Sequence, residues 1–158
     1  MNKKTTVTIL LVIVIIVFVA WYFLHRPRYS EEGFSIILTK DNSKLLSDAD
    51  IQHYNLVSHE LTLTDDCADR MKKLMELPNR EFIVIVDDEE DLRGIFVPPF
   101  VSRSYPSTEV VIVYPSFESD YKTMKIQMGY PWDQPTDQDP RQSSKMIQHF
   151  EKTSRLTR

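Results

Sequence analysis

The feature that most constrains this chain is an uncharged, apolar run near its N-terminus. No charged side chain occurs from residue 5 to residue 24, and residues 7–19 are almost entirely Val, Ile and Leu. As a helix, such a run extends about 30 Å, the thickness of the hydrocarbon core of a bilayer. We therefore predict a single-pass membrane anchor that contacts the lipid bilayer through residues 5–24. The residues that represent this anchor are Val7, Leu11, Ile15, Val19 and Trp21.

Two other interpretations of the run are a cleaved signal peptide and a buried core helix. The run exceeds the roughly 7–15 apolar residues of a signal-peptide core, and Ala20 is followed by Trp21 rather than by small residues. A core helix of a small domain needs a polar face, which this run lacks. The sequence therefore favours an uncleaved signal anchor.

The orientation of the anchor follows from the charges beside it. Two Lys precede the run and two Arg follow it, so the basic residues are balanced. The terminal amine and the short leader favour an N-terminus inside the cell. We predict an inner-membrane protein with its domain on the periplasmic side. A reversed anchor with a cytoplasmic domain is the alternative.

Composition limits what the rest of the 158-residue chain can be. We predict an anchor with its flank (1–28), one domain (29–130) and a Pro/Asp/Gln/Ser-rich linker with a tail helix (131–158). A net charge of −4 argues against nucleic acid as a partner. The lone Cys67 excludes an internal disulfide framework and a cysteine-built zinc site. Three glycines leave no phosphate-binding loop, and we predict no cofactor.

Periodicity predicts several short elements in the domain. Residues 59–64 alternate as a half-buried strand, and Thr64 begins a helix whose buried stripe includes Cys67 and Met71. Other predicted strands are 34–39, 82–86, 92–97 and 110–114, of which 92–97 is the predicted hairpin partner of 82–86. Ser47 is predicted to cap one helical turn. We predict an α+β fold, in which a transmembrane helix precedes a small sheet with one main helix on one face. Met146, Ile147 and Phe150 mark a short C-terminal helix, either partner-binding or frayed.

The stretch from Ser58 to Tyr114 resembles the head part of the first periplasmic domain of the SecD-type protein-export subunit. The shared pattern is a strand and Thr-capped helix at 59–64, an apolar strand ending in an acid at 82–87, a returning strand around Gly94 and a later strand at 110–114. The resemblance implies a fold and a compartment. It does not imply proton-driven export, because Asp88 replaces a glycine and the further membrane helices are absent.

Four features invite a chemical interpretation, and each has a simpler one. His53 and His59 lack the spacing of a metal site and are predicted to be surface residues. Residues 87–91 are all acidic, but they lack the glycine and alternation of a calcium loop and fit a solvated turn. Ser102 lacks the flanking glycines of a nucleophile elbow and fits a polar loop. Cys67 lies in the buried stripe of its predicted helix and fits a small core side chain rather than a reactive thiol. We therefore predict no catalytic residue and no metal ligand.

A binding surface is the remaining functional prediction. Aromatic residues and Arg dominate interface anchors, and Phe100, Arg103 and Tyr105 follow the predicted hairpin within a few residues of one another. We predict that they bind a protein partner, an envelope protein or an exported polypeptide, and that the domain is a binding or scaffolding module rather than an enzyme. The alternative is a membrane-tethered hydrolase, which would require a pocket where Ser102 or Cys67 meets two titratable groups.

Overall fold

The computed structural model describes residues 12–18, 33–73, 80–134, 137 and 139–158. Within these residues no helix is long and apolar enough to cross a membrane. The predicted single-pass anchor, and the inner-membrane location inferred from it, are therefore contradicted. The apolar composition of residues 5–24 was the basis of that prediction, and most of these residues lie outside the described ones.

The residues chosen to represent that anchor are only partly described. Ile15 lies in the helical residues 12–18, where its side chain is exposed. Val7, Leu11, Val19 and Trp21 lie outside the described residues.

Nine strands form one mixed sheet. They are β1 (Phe34–Leu38), β2 (Lys44–Ser47), β3 (Ile51–Asn55), β4 (Glu60–Leu63), β5 (Glu81–Val86), β6 (Glu89–Val97), β7 (Tyr105–Val113), β8 (Thr123–Tyr130) and β9 (Leu156–Thr157). Their order across the sheet is β2-β1-β5-β6-β7-β8-β4-β3-β9. The β6–β7 and β3–β9 pairs are parallel and all the others are antiparallel.

The connection from β2 to β3 forces this sheet to roll up. In the strand order these two strands are seven spacings apart, about 34 Å in a flat sheet. Only a 3-10 turn, Asp48–Asp50, joins them, and four Cα steps reach at most about 15 Å. The two edges of the sheet must therefore lie close together. The ring of Phe150 confirms this, because its centroid lies 5.2 Å from that of Phe34 in β1 and 5.3 Å from that of Tyr54 in β3.

The inner face of the rolled sheet holds one hydrophobic core. Alternate residues of the strands point inward, as the period of two requires. Buried members come from every strand from β1 to β8, for example Ile36, Leu61, Val84 and Ile126. A second, smaller cluster of Ile37, Ile83 and Ile85 lies on the opposite face of β1 and β5.

Two nine-residue helices complete the core. In α1 (Asp65–Lys73), Cys67 and Met71 are buried. In α2 (Ser144–Lys152), Met146 and Phe150 join the same core. The tail helix is thus packed against the domain through the side chains that the sequence left open between partner binding and fraying.

Both helices also hold the turn between β2 and β3. Asp48 pairs with His149 of α2 at 2.6 Å and with Arg155 at 2.6 Å. Asp50 pairs with Arg70 of α1 at 2.7 Å and accepts a hydrogen bond from the Ser47 amide. The predicted cap at Ser47 is therefore present, with charged partners on both sides of the turn.

The predicted α+β fold with one main helix on one face is wrong. The described chain is mostly a nine-stranded mixed sheet, with short helices only. The local predictions fared better, since the strand at β4, the Thr64-capped helix and the β5–β6 hairpin are all confirmed. Strands β2, β3 and β9 were not predicted, and they are the strands that close the roll.

A core substitution in α2 tests whether the tail helix is part of the fold. We expect Phe150→Ala to lower the free energy of unfolding by about 3–5 kcal/mol, since a fully buried aromatic ring is lost. Urea denaturation followed by circular dichroism measures the change. The matched control is Phe117→Ala, which removes an exposed ring and is expected to change stability by less than about 0.5 kcal/mol. Equal effects of the two substitutions would show that α2 contributes little to the core.

Candidate functional site

The three residues predicted to bind a partner lie in or beside the loop that joins β6 to β7. Phe100 is 73% exposed. The guanidinium of exposed Arg103 lies 5.1 Å from the centre of the Tyr105 ring, and Tyr105 is the first residue of β7. The structure therefore brings Arg103 and Tyr105 into contact.

This loop crosses the outside of the sheet. Because β6 and β7 are parallel neighbours, the chain must return along the sheet between them. The inner face is filled by the core, so residues 98–104, which we call the strap, pass over the outer face. Phe96 and Ile112 face the core, so their neighbours Val97 and Val111 point to the outer side. Both valines are nevertheless fully buried.

A second segment adds aromatic side chains to the strap. The Tyr130 hydroxyl donates a hydrogen bond of 2.7 Å to the Pro99 carbonyl, and Tyr130 is the register partner of Tyr105. Two residues later, Trp132 is 75% exposed. The hydrogen bond places Trp132 and Phe100 in the same region of the molecule. We call this region the aromatic surface, which comprises Phe100, Arg103, Tyr105, Tyr130 and Trp132.

Hydrogen bonds to the Asp133 carboxylate and to the Met128 carbonyl fix the turn that carries Trp132. The Met128 amide donates to Asp133 Oδ1 at 3.0 Å, and the Gln134 amide donates to the Met128 carbonyl at 3.0 Å. Arg141 Nη1 donates to both oxygens of Asp133 at 2.8 Å. Trp132 is therefore exposed on an ordered turn rather than on a free segment.

Arg141 is the centre of a buried charge network behind this turn. Its side chain is 1% exposed, and it also donates to the Asp139 carboxylate, at 2.6 Å from Nη2, and to the Ile126 carbonyl. Burial opposes its charge, but the hydrogen bonds that it donates to Asp139 and Asp133 keep the pKa of Arg141 above its usual value. Removing one partner of such a buried pair leaves an uncompensated charge and is strongly destabilising.

His59 and Tyr54 continue the network into the core. The Tyr54 hydroxyl and His59 Nδ1 are hydrogen-bonded at 2.8 Å, and His59 Nε2 lies 3.9 Å from Asp139 Oδ2. Burial, together with the charge of Arg141, lowers the pKa of His59, and the carboxylates of Asp139 and Asp133 oppose this shift. The predicted surface position of His59 is wrong, whereas His53 is exposed as predicted.

A separate polar cluster lies where the two edges of the sheet meet. Arg155 donates to both oxygens of Asp48 and to the carbonyls of Asp48 and Ile51. His149 Nε2 is 2.6 Å from Asp48, and its Nδ1 is 4.0 Å from Asp87. Burial opposes the charge of Asp48, but the hydrogen bonds from Arg155 and His149 hold its pKa below the usual value. These hydrogen bonds hold the turn between β2 and β3 against α2 and the residues after it, and so stabilise the rolled sheet.

The other residues for which the sequence suggested a chemical role do not come together in one site. Cys67 is fully buried, which raises its pKa to about 11. Ser102 is exposed on the strap and has no hydrogen bond to a histidine or carboxylate in the described part of the chain. In the acidic run, Asp87 and Asp88 form an exposed turn as predicted, but Asp91 is half-buried and bonded to Ser143. Burial raises the pKa of Asp91.

One described pocket lies on the outer face of β5 and β6. It measures about 180 Å³ and is lined by Thr39, Glu81, Arg93 and Glu109, among others. Neither Ser102 nor Cys67 lines it, so the arrangement that the hydrolase alternative requires is not found there. Among the residues with described positions, no group of three His, Cys, Asp or Glu side chains is placed to hold a metal ion.

Sequence reasoning found part of the aromatic surface and missed the rest. Trp132 falls in the polar segment whose composition predicted a linker, although a Trp in such a segment is itself a signal of contact. Tyr130 is the last residue of the predicted domain and was not singled out. Arg141, Asp139 and Asp133 carry no local pattern that identifies them. Their pairing depends on β8 and β4, which bring the segment onto the sheet.

Comparisons of the chain with protein-family models, with curated proteins and with solved structures found no match. The resemblance to the SecD head therefore stays a prediction. The fold and the site define the chain as a small rolled-sheet domain with an ordered, exposed aromatic surface.

The pKa of His59 leads to a prediction about acid stability. In the unfolded chain His59 binds a proton near pH 6.5, but in the folded state burial beside Arg141 lowers its pKa. The unfolded state therefore binds the proton first, so the free energy of unfolding should fall as the pH drops below about 6.5. Urea denaturation between pH 5 and 7.5 measures this slope.

Two substitutions isolate the contribution of His59. We expect His59→Gln to flatten the dependence of unfolding free energy on pH. The matched control is His53→Gln, which changes an exposed side chain of β3 and should retain the slope of the parent protein. NMR titration of the folded protein should place the His59 midpoint below 6.5. An unchanged slope in His59→Gln, or a midpoint above 6.5, would contradict the proposed burial effect.

Proposed function

We propose that this protein is a binding module that recognises a segment of another protein through its aromatic surface. The observation that carries the proposal is the pair of large rings, Phe100 and Trp132, which are 73% and 75% exposed and lie in one region because Tyr130 bonds to Pro99. Exposed aromatic side chains in one region are typical of interaction sites.

The fixed positions of the residues in the aromatic surface support this proposal. Trp132 lies on a turn held by Asp133 and the buried Arg141, and Phe100 lies on a strap attached to Tyr130. A surface that is already ordered loses little conformational entropy on binding, so more of the contact energy remains as affinity. Rigid aromatic anchors on an ordered frame are what such a site requires.

The size of the surface indicates the kind of partner. A buried aromatic ring contributes about 150–250 Å² of contact, so two rings with parts of Tyr105 and Tyr130 provide several hundred square ångströms. A stable interface between folded proteins needs about 800 Å² on each side. The aromatic surface is therefore suited to a short, extended peptide segment rather than to a whole folded domain.

Crosslinking within the native environment tests the proposal. A photoreactive amino acid is placed at Ser102, on the exposed strap between Phe100 and Arg103, in the full-length chain. We expect a discrete covalent adduct, and we expect Phe100→Ala and Trp132→Ala to reduce its yield sharply. Loss of an interface anchor typically costs about 2–4 kcal/mol, or about 30- to 1,000-fold in Kd.

The control for this experiment is another exposed phenylalanine. Phe117→Ala removes a ring that is 68% exposed in the 3-10 turn Phe117–Ser119, which is not part of the strap or of the Trp132 turn. It should leave the adduct unchanged. An adduct that is insensitive to Phe100→Ala and Trp132→Ala, or that is equally sensitive to Phe117→Ala, would contradict the proposed surface.

A further inference from the structure

Arg103 differs from the other arginines of the described residues. Each of the others forms an ion pair with a carboxylate; these are Arg70, Arg80, Arg93, Arg141, Arg155 and Arg158. In the described part of the chain Arg103 has no carboxylate within ion-pair distance, and its contact is with the Tyr105 ring. The chain has 23 acidic residues against 19 basic ones, so carboxylates are not scarce.

The position over Tyr105 orients the Arg103 guanidinium without using its hydrogen-bond donors. The 5.1 Å separation from the ring centre fits a stacked cation–π contact. Stacking restricts the side chain and leaves the N–H groups at the edge of the guanidinium available. These groups match a carboxylate in bidentate geometry.

The carboxylate next to Trp132, that of Asp133, already has partners. Asp133 accepts both of its short hydrogen bonds from Arg141, lies 3.8 Å from Lys125, and holds the Trp132 turn through Met128. A move of the Asp133 carboxylate toward Arg103 would break the hydrogen bonds that order the Trp132 turn. The charge of Arg103 is therefore complementary to a group that the partner brings.

We propose that the segment bound at the aromatic surface carries an internal Asp or Glu whose carboxylate pairs with Arg103. This inference rests on the proposed function. Arg103 lies on the strap with Phe100 and stacks on Tyr105, so a carboxylate bound to it lies within the aromatic surface. That placement fits an acidic side chain within an extended segment rather than the carboxyl end of a peptide.

The test selects random 12-residue display peptides on the full-length protein, with the Phe100→Ala/Trp132→Ala double variant used to remove peptides that bind elsewhere. One library has blocked carboxyl ends and the other has free ends. We expect the blocked library to yield peptides enriched in Asp or Glu at one internal position, next to apolar or aromatic residues.

Variants of Arg103 then determine whether that carboxylate is recognised as proposed. Arg103→Gln should weaken binding of the selected peptides about tenfold and remove most of their salt dependence. Selection on Arg103→Glu should replace the acidic preference with Lys or Arg. The matched control, Arg93→Gln, removes an exposed arginine that pairs with Glu90, and it should change neither the affinity nor the preference.

The outcomes separate this inference from the proposed function. Peptides that depend on Phe100 and Trp132 but carry no acidic preference, or keep it on Arg103→Gln, would overturn the inference and leave the binding function standing. Acidic dependence only in the library with free ends would also overturn it, because the terminal carboxylate would then be the ligand. Failure to obtain any peptide that depends on the two rings would contradict the binding function itself.

Discussion

The three-residue turn Asp48–Asp50 is the constraint on which the rest of the structure depends. It joins two strands that a flat sheet would separate by about 34 Å, so the sheet can form in its observed order only if it rolls. Rolling creates one enclosed core and brings the chain end to the seam between the two edges. There Arg155 and His149 bind Asp48, and Phe150 packs between Phe34 and Tyr54.

The same closure positions the candidate site. Tyr54, in a strand next to the sheet edge, faces inward and meets His59 and the Arg141 carbonyl. Arg141 in turn holds Asp133, which orders the Trp132 turn on the outside of the molecule. A continuous set of hydrogen bonds thus links the interior of the roll to the exposed rings. The rigidity of the aromatic surface is therefore a consequence of the fold and not of the surface residues alone.

The parts of the fold that could be predicted are those with a local cause. The alternation of Leu61 and Leu63 and the cap at Thr64 act within a few residues, and both are found as predicted. Strand β3 was missed because its buried residues, Ile51 and Tyr54, are three positions apart; a bulge breaks the period of two. The two-residue β9 exists only through pairing with β3, far away in the sequence.

The segment that composition identified as a linker was missed for a different reason. It orders itself through paired charges, Arg141 with Asp133 and Asp139, and not through apolar burial. Hydropathy detects burial of apolar surface, so it cannot detect a segment that buries a complete ion-pair network. Three of the five residues of the candidate site could therefore be predicted, the strap residues Phe100 and Arg103 with Tyr105, but neither Tyr130 nor Trp132.

A comparison of two arginines explains why the aromatic surface is more than exposed apolar residues. Arg141 is almost completely buried, and its donors are used by Asp133, Asp139 and the Ile126 carbonyl. Arg103 is exposed, and stacking on Tyr105 orients it while leaving its donors available. In our proposal the first arginine makes the surface rigid and the second makes it selective for charge. Exposed rings alone bind many apolar segments, and it is the oriented cation beside them that can discriminate among those segments.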